Sequence, residues 1–207
     1  VDDFESGSMN LAVDGIDYPP TPSASLTLVA DVIGGQRDVA LDYLSGLYSS
    51  HVYVNRAKSG SFVLAEDPDT QARATLTYGA GGSLNADLAA QGPSSAFRFV
   101  FSTADLAGTL SIQASSDGQG TSTWTGSTPG GLFNTNLDFD VPLSGSGWVA
   151  ASGGGVNWGD VDKLTISLTG VANGDYVIRQ IVVVPEPATL SLIVLGGLAS
   201  LLKRRRR

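Results

Sequence analysis

The chain has 207 residues, 42% of them hydrophobic and only 15% charged, with 26 glycines, one histidine and no cysteine. Lacking cysteine, it has no disulfide, no thiolate nucleophile and no thiolate metal site. A formal net charge of −8 argues against a phosphate-binding surface, so nucleic acid is not an expected partner.

Period-two alternation of apolar residues begins with Leu26, Leu28, Ala30 and Val32 and returns in Val39, Leu41 and Tyr43, although 39–47 also admits a helical reading. Further strands are expected over 52–54, 61–64, 72–78, 84–88, 97–101 and 108–115. Leu137, Phe139, Val141 and Leu143 alternate again, and 164–168 and 176–184 complete the series. Turn chemistry separates these runs at Gly34-Gly35, Gly79 to Gly82, Asp117-Gly118, Gly153 to Gly155 and Asn173-Gly174. About ten or eleven short strands at spacings near twelve residues predict an all-β domain over 1–184, a β-sandwich of jelly-roll type.

The C-terminus has a different character. Pro185-Glu186-Pro187 precedes an uncharged apolar run from Thr189 to Leu202, and Lys203, Arg204, Arg205, Arg206 and Arg207 end the chain. As a helix the run would be roughly 21 Å long, short for a hydrocarbon core of about 30 Å. Snorkelling of Lys203 and local bilayer thinning make up the difference, and the terminal cations place Arg207 in the cytoplasm. A single short transmembrane helix over 189–202 is therefore expected. This tail holds five of the 12 basic residues and one of the 20 acidic ones, so residues 1–184 carry 7 against 19, a net of −12.

In order and spacing the tail resembles the PEP-CTERM sorting signal of Gram-negative bacteria, with Pro185, Glu186 and Pro187 as the tripeptide and Lys203 to Arg207 as the basic stop. The resemblance implies exosortase, a membrane peptidase-transpeptidase, as partner, and a secretion signal upstream of Val1. It also implies residence in the inner membrane with the N-terminal domain outside during export. After processing, the chain is expected on the cell surface or in the extracellular matrix.

A second resemblance is carried by Asp3-Phe4-Glu5-Ser6-Gly7, by Ile33-Gly34-Gly35-Gln36-Arg37-Asp38-Val39 and by Asp160-Val161-Asp162-Lys163-Leu164. These short motifs look like a recurrent extracellular domain of PEP-CTERM proteins, similar to carbohydrate-binding and discoidin-like jelly rolls. The alternative for the second motif is a glycine hairpin turn, with Arg37 and Asp38 pairing to neighbouring strands.

No enzyme activity is expected. His51, the only histidine, sits beside Val52, Tyr53 and Val54 on a predicted strand and reads as a strand-face or edge residue. No Gly-x-Ser-x-Gly motif accompanies it. The carboxylate groups Glu66-Asp67-Asp69, Asp138 with Asp140, and Asp160 with Asp162 have no geometry in sequence, and Asp138 and Asp140 read as one solvated strand face.

No cofactor is needed, but a structural calcium would find oxygen ligands among Asp2, Asp3, Glu5, Asp160, Asp162 and Asp175. Ordinary surface acids are the alternative, and no Asp-x-Asp-x-Asp-Gly loop is present. Trp124, Trp148 and Trp158 lie in Gly/Ser/Thr-rich stretches and are the candidates for glycan contact, against a role capping the sandwich end. Two function classes follow: a structural or interaction protein of an exopolysaccharide or biofilm matrix, and a carbohydrate-binding module recognising the exopolysaccharide.

Overall fold

The computed structural model describes residues 2–14, 23–27, 32–81, 84–90, 92, 95–131 and 135–185, with only the backbone for 23–27. Among these residues the chain forms two antiparallel sheets packed face to face. The first sheet has six strands in the order β1 (Met9–Asp14), β4 (Ser49–Val54), β5 (Phe62–Glu66), β13 (Asp175–Pro185), β7 (Ser95–Ala104) and β10 (Leu137–Pro142). The second has seven, in the order β11 (Trp148–Gly153), β9 (Gly120–Ser127), β8 (Thr109–Ser116), β12 (Lys163–Thr169), β6 (Gln71–Tyr78), β3 (Gln36–Ser45) and β2 (Ser23–Thr27).

Alternation decides which residues fill the space between the sheets. Phe97, Phe99 and Phe101 of β7 point inward while Arg98 and Val100 point out, and β6 buries Ala72, Ala74, Leu76 and Tyr78 in the same rhythm. Leu110, Ile112 and Ala114 of β8 and Leu164, Ile166 and Leu168 of β12 complete the inner face of the seven-stranded sheet. The result is the one-side-buried pattern of antiparallel sheets. β3 resolves the ambiguity over 39–47 in favour of a strand, which ends at Ser45 before Gly46 turns the chain.

Three sequence expectations fail. The segment 84–88 is a loop, not a strand: Leu84 and Leu88 are buried, but only Ala86 makes a ladder contact, an isolated bridge to Val161. β9 and β11, rich in glycine and serine, are strands and carry Trp124 and Trp148, which had read as loop residues. β1 was also not anticipated. The alternation over 26–32 is met only in part, since β2 ends at Thr27 and 28–31 lie outside the described residues.

β13 runs through the middle of its sheet and ends at Pro185, which pairs with Ser95. Its register shifts on both sides of Ile178, so Arg179 and Gln180 are both exposed where strict alternation would bury one of them.

Candidate functional site

The three tryptophans, 34 positions apart at most in sequence, converge on one lateral edge of the sandwich. There β10 ends the six-stranded sheet and β11 ends the seven-stranded one. Trp124 and Trp148 are register partners on β9 and β11. Trp148 stands edge-on to Trp158, with ring centroids 4.7 Å apart and planes at 73°. All three indoles are half-buried.

The local sequence explains how these rings are held. Trp124 lies along β9 over Gly126, where a Cβ would come within 2.5 Å of the indole, and against Gly147, where a Cβ would fall 2.9 Å from its Nε1. The glycines that read as loop signals are therefore a slot for a ring. Across the sandwich Trp124 meets Phe139 of β10 at 6.2 Å, and Phe139 leans on Phe101 at 6.3 Å. The Trp148 Nε1 donates to the Pro142 carbonyl at 2.7 Å, tying β11 to the end of β10.

Trp158 comes from the turn after β11. Its carbonyl accepts from the Leu88 and Ala89 amides at 2.8 and 3.1 Å, and its ring meets Phe97 edge-on at 6.2 Å. Asn157 fixes the same turn, because its amide donates to the Ser116 Oγ at 3.0 Å and its Oδ1 accepts from Gly159 at 3.1 Å. Asp87 Oδ1 accepts from the Ala89 amide at 2.9 Å, so an exposed carboxylate and the exposed Asn157 amide brace the loop and the turn that carry Trp158. The edge thus offers fixed aromatic surface with polar acceptors beside it. That combination suits a flat, partly apolar and partly hydroxylated ligand.

The six carboxylates read as calcium candidates do not converge; among the described residues no group of three His, Cys, Asp or Glu side chains is placed to hold a metal ion. Asp2 is buried against Arg37. Asp3 accepts from the Glu5 amide at 3.0 Å, both lying on the N-terminal segment. Asp162 accepts from the Asp117 amide at 2.5 Å, Asp160 is exposed, and Asp175 is exposed with its amide on Asp105. Asp138 and Asp140 grip Arg98 at 3.0 and 2.8 Å on the outer face of their sheet. His51 stacks on Tyr53 at 5.7 Å along β4.

Sequence reasoning missed Phe139 and Asp87 as members of the edge. Phe139 was legible only as a core residue of its strand, and Asp87 lay in a segment read as a strand.

Residues 183–207 match the family model described as the PEP-CTERM protein-sorting motif. The chain therefore carries this sorting motif at its C-terminus. Val183, Val184 and Pro185, the first matched residues, are paired with Phe97, Ala96 and Ser95 as the end of β13. Glu186, Pro187, the apolar run 189–202 and the basic end 203–207 lie outside the described residues, and among the described ones no helix is long and apolar enough to cross a membrane. No curated protein matches the chain.

Among solved structures, the chain is similar to a family 11 carbohydrate-binding module from Clostridium thermocellum in complex with a β-1,3-1,4-mixed-linked tetrasaccharide, at 13% identity, TM-score 0.39, over 86% of this chain and 96% of that one. It is also similar to a carbohydrate-binding module in complex with β-1,4-galactotriose, at 13% identity, TM-score 0.36, over 82% and 91%. An exo-β-agarase matches at 9% identity, TM-score 0.43, over 85% of this chain and 25% of that one.

Proposed function

We propose that the chain is an exported surface protein, processed by exosortase at its sorting motif, whose sandwich binds a polysaccharide of the extracellular or biofilm matrix without acting on it chemically. The observation that carries this reading is the convergence of Trp124, Trp148 and Trp158 at one half-open edge, fixed by Gly126, Gly147 and the Trp148–Pro142 hydrogen bond. A pyranose ring presents an apolar face for the indoles and hydroxyls for Asn157 and Asp87. Stacking of a flat ring on an aromatic side chain is worth about 1–3 kcal/mol when the ring is a nucleobase, and a sugar face is taken to be on that scale.

The reading divides the chain at 184/185, into a jelly-roll-type binding domain and a sorting tail whose 189–202 run spans the inner membrane until processing. A body of net charge −12 favours neutral over anionic polysaccharide. A cofactor plays no part in this reading. The structural role in the matrix is then the consequence of binding: a surface protein that holds exopolysaccharide crosslinks it.

Affinity electrophoresis of the full chain in gels containing the host exopolysaccharide tests the reading. Retardation is expected for the parent chain and is expected to fall at least fivefold in Trp148→Ala and Trp158→Ala. Equal mobility with and without polysaccharide would contradict it.

A further inference from the structure

The outer side of the six-stranded sheet carries an open groove of about 520 Å³, within the range of about 300–1,000 Å³ usual for ligand sites. Asp3, Glu5, Ser59, Asn136, Arg179 and Gln180 line it, and Val100, the cross-strand partner of Gln180, is its apolar wall residue. None of these residues belongs to the tryptophan edge.

Three departures from regular backbone meet in this groove. The double register shift in β13 turns both Arg179 and Gln180 outward. The loop after β4 holds Asn55, Ala57, Lys58 and Gly60 at φ values of 49°, 54°, 60° and 54°, a left-handed run that only the last of them adopts freely. In the N-terminal segment Phe4, at φ 57°, drops its ring into the core, and its neighbours Asp3 and Glu5 are left on the groove. Bulges and left-handed non-glycine residues collect where side chains must be aimed at a ligand.

The walls are also locked to one another. Buried Asn55 donates from Nδ2 to the Glu5 carbonyl at 2.6 Å and accepts from the Gly60 amide at 3.2 Å. Arg179 donates from Nη1 to the Ser59 carbonyl at 2.6 Å, which fixes its guanidinium at the rim. Gly60 lets Glu5 lie close, since a Cβ there would sit 3.3 Å from the Glu5 Cγ and Oε1.

We infer that this groove is a second binding site, for an uncharged, hydroxyl-rich ligand: a sugar residue of a neutral glycan. Each hydroxyl both donates and accepts, and the wall supplies carboxylates that accept, a guanidinium that donates, and amides that do both. An anionic ligand would meet two carboxylates against one guanidinium, and a single apolar wall residue offers nothing to a lipid chain. The inference rests on the glycan reading for the source of the sugar, and on the groove alone for its geometry.

Amide chemical-shift mapping on the isotopically labelled full chain in detergent micelles tests it, with cellotetraose, laminaritetraose and β-1,4-galactotetraose as neutral probes and tetragalacturonate as the charged control. At least one neutral probe is expected to move the Glu5, Gly60 and Gln180 amides. Affinity read from these amides is expected to fall at least tenfold in Gln180→Ala and in Asn136→Ala, two exposed positions whose truncation leaves the core intact. Trp148→Ala is expected to weaken shifts at the edge and leave those in the groove. The inference is overturned if no neutral probe moves the groove amides, if tetragalacturonate alone does, or if both groove variants bind as the parent does. Shifts around Trp158 without shifts in the groove would sink this inference and leave the proposed function standing.

Discussion

Asp2 and Arg37 meet at 2.6 Å with neither side chain exposed, joining the N-terminal segment to the first residues of β3. Tyr78 of β6 donates at 2.9 Å to the same Asp2 Oδ2 that Arg37 grips, and Arg37 reaches on to the Ser6 carbonyl at 2.6 Å. The backbone of Asp2 pairs with Ile181 of β13 in both directions, so this one residue ties three strands from both sheets to the strap at residues 2–8. The sequence motifs around Phe4 and Arg37, separate in the chain, are two halves of this joint. Burial and the Asp2 charge hold the Tyr78 hydroxyl well above its ordinary pKa, so it remains a donor.

Removing one partner leaves a buried, uncompensated charge, which costs about 3–5 kcal/mol. Asp2→Ala is therefore expected to lower the urea midpoint sharply with an unchanged slope. The double variant Asp2→Ala/Arg37→Met is expected to be less destabilised than Asp2→Ala alone. A double variant worse than either single change would show that the pair acts independently of its charge.

At the end of the sandwich farthest from Pro185, Glu66 is buried, with Oε1 accepting from the Ala72 amide at 2.7 Å and Oε2 lacking a hydrogen-bond partner among the described residues. Burial pushes its pKa up to about 7, the Ala72 amide pulls it down, and Asp175 adds to the rise. Because the folded state prefers the protonated acid, the stability it permits is full below about pH 4.5 and is lost as pH rises through about 7. The pKa of Asp175, a residue exposed overall, is raised as well, by partial desolvation of its carboxylate and then by Asp105 and Asp67, and works in the same direction. Glu66→Gln keeps the acceptor for Ala72 and is expected to flatten the fall between pH 5 and 8. Urea titrations across that range decide it, and a variant whose stability falls as steeply as the parent's would refute the assignment.

Gly126 and Gly147 hold the slot for Trp124. Gly126→Val is expected to displace the indole, weaken polysaccharide retention about as much as loss of the ring itself, and redden tryptophan emission. Unchanged emission together with full retention would mean that the slot is not occupied as described.

Much of the sandwich was legible because alternation is a strong signal where one face is buried, as in Phe97–Phe101 or Leu164–Leu168. The strands that escaped, β9 and β11, bury few large side chains, and their glycines and serines carry turn chemistry as readily as strand chemistry. Convergence of the tryptophans was illegible for a different reason. It depends on β10 and β11 ending two different sheets on the same side, a relationship of topology that no local pattern records. Asp2 read as a calcium ligand or a surface acid, and Arg37 as part of a turn motif free to pair with neighbouring strands; their pairing with each other was illegible, because a buried ion pair leaves no mark in composition.

Three residues, Glu186 to Ala188, separate the last strand from the apolar run, so processing at the sorting motif is expected to leave a mature chain ending at or near Pro185 with the sandwich intact. Mass spectrometry of the protein from host surface fractions gives the answer. A mature form still ending at Arg207 would contradict processing.

The most direct test of the central claim is the dissociation constant of the full chain for host exopolysaccharide, followed by tryptophan fluorescence, in the parent and in Trp124→Ala, Trp148→Ala and Trp158→Ala. Saturable quenching is expected in the parent, with affinity at least fivefold weaker in Trp148→Ala and Trp158→Ala, in line with about 1–3 kcal/mol per stacked ring. A parent chain that shows no saturable change, or variants that all bind as tightly as the parent, would contradict the tryptophan edge as a glycan site.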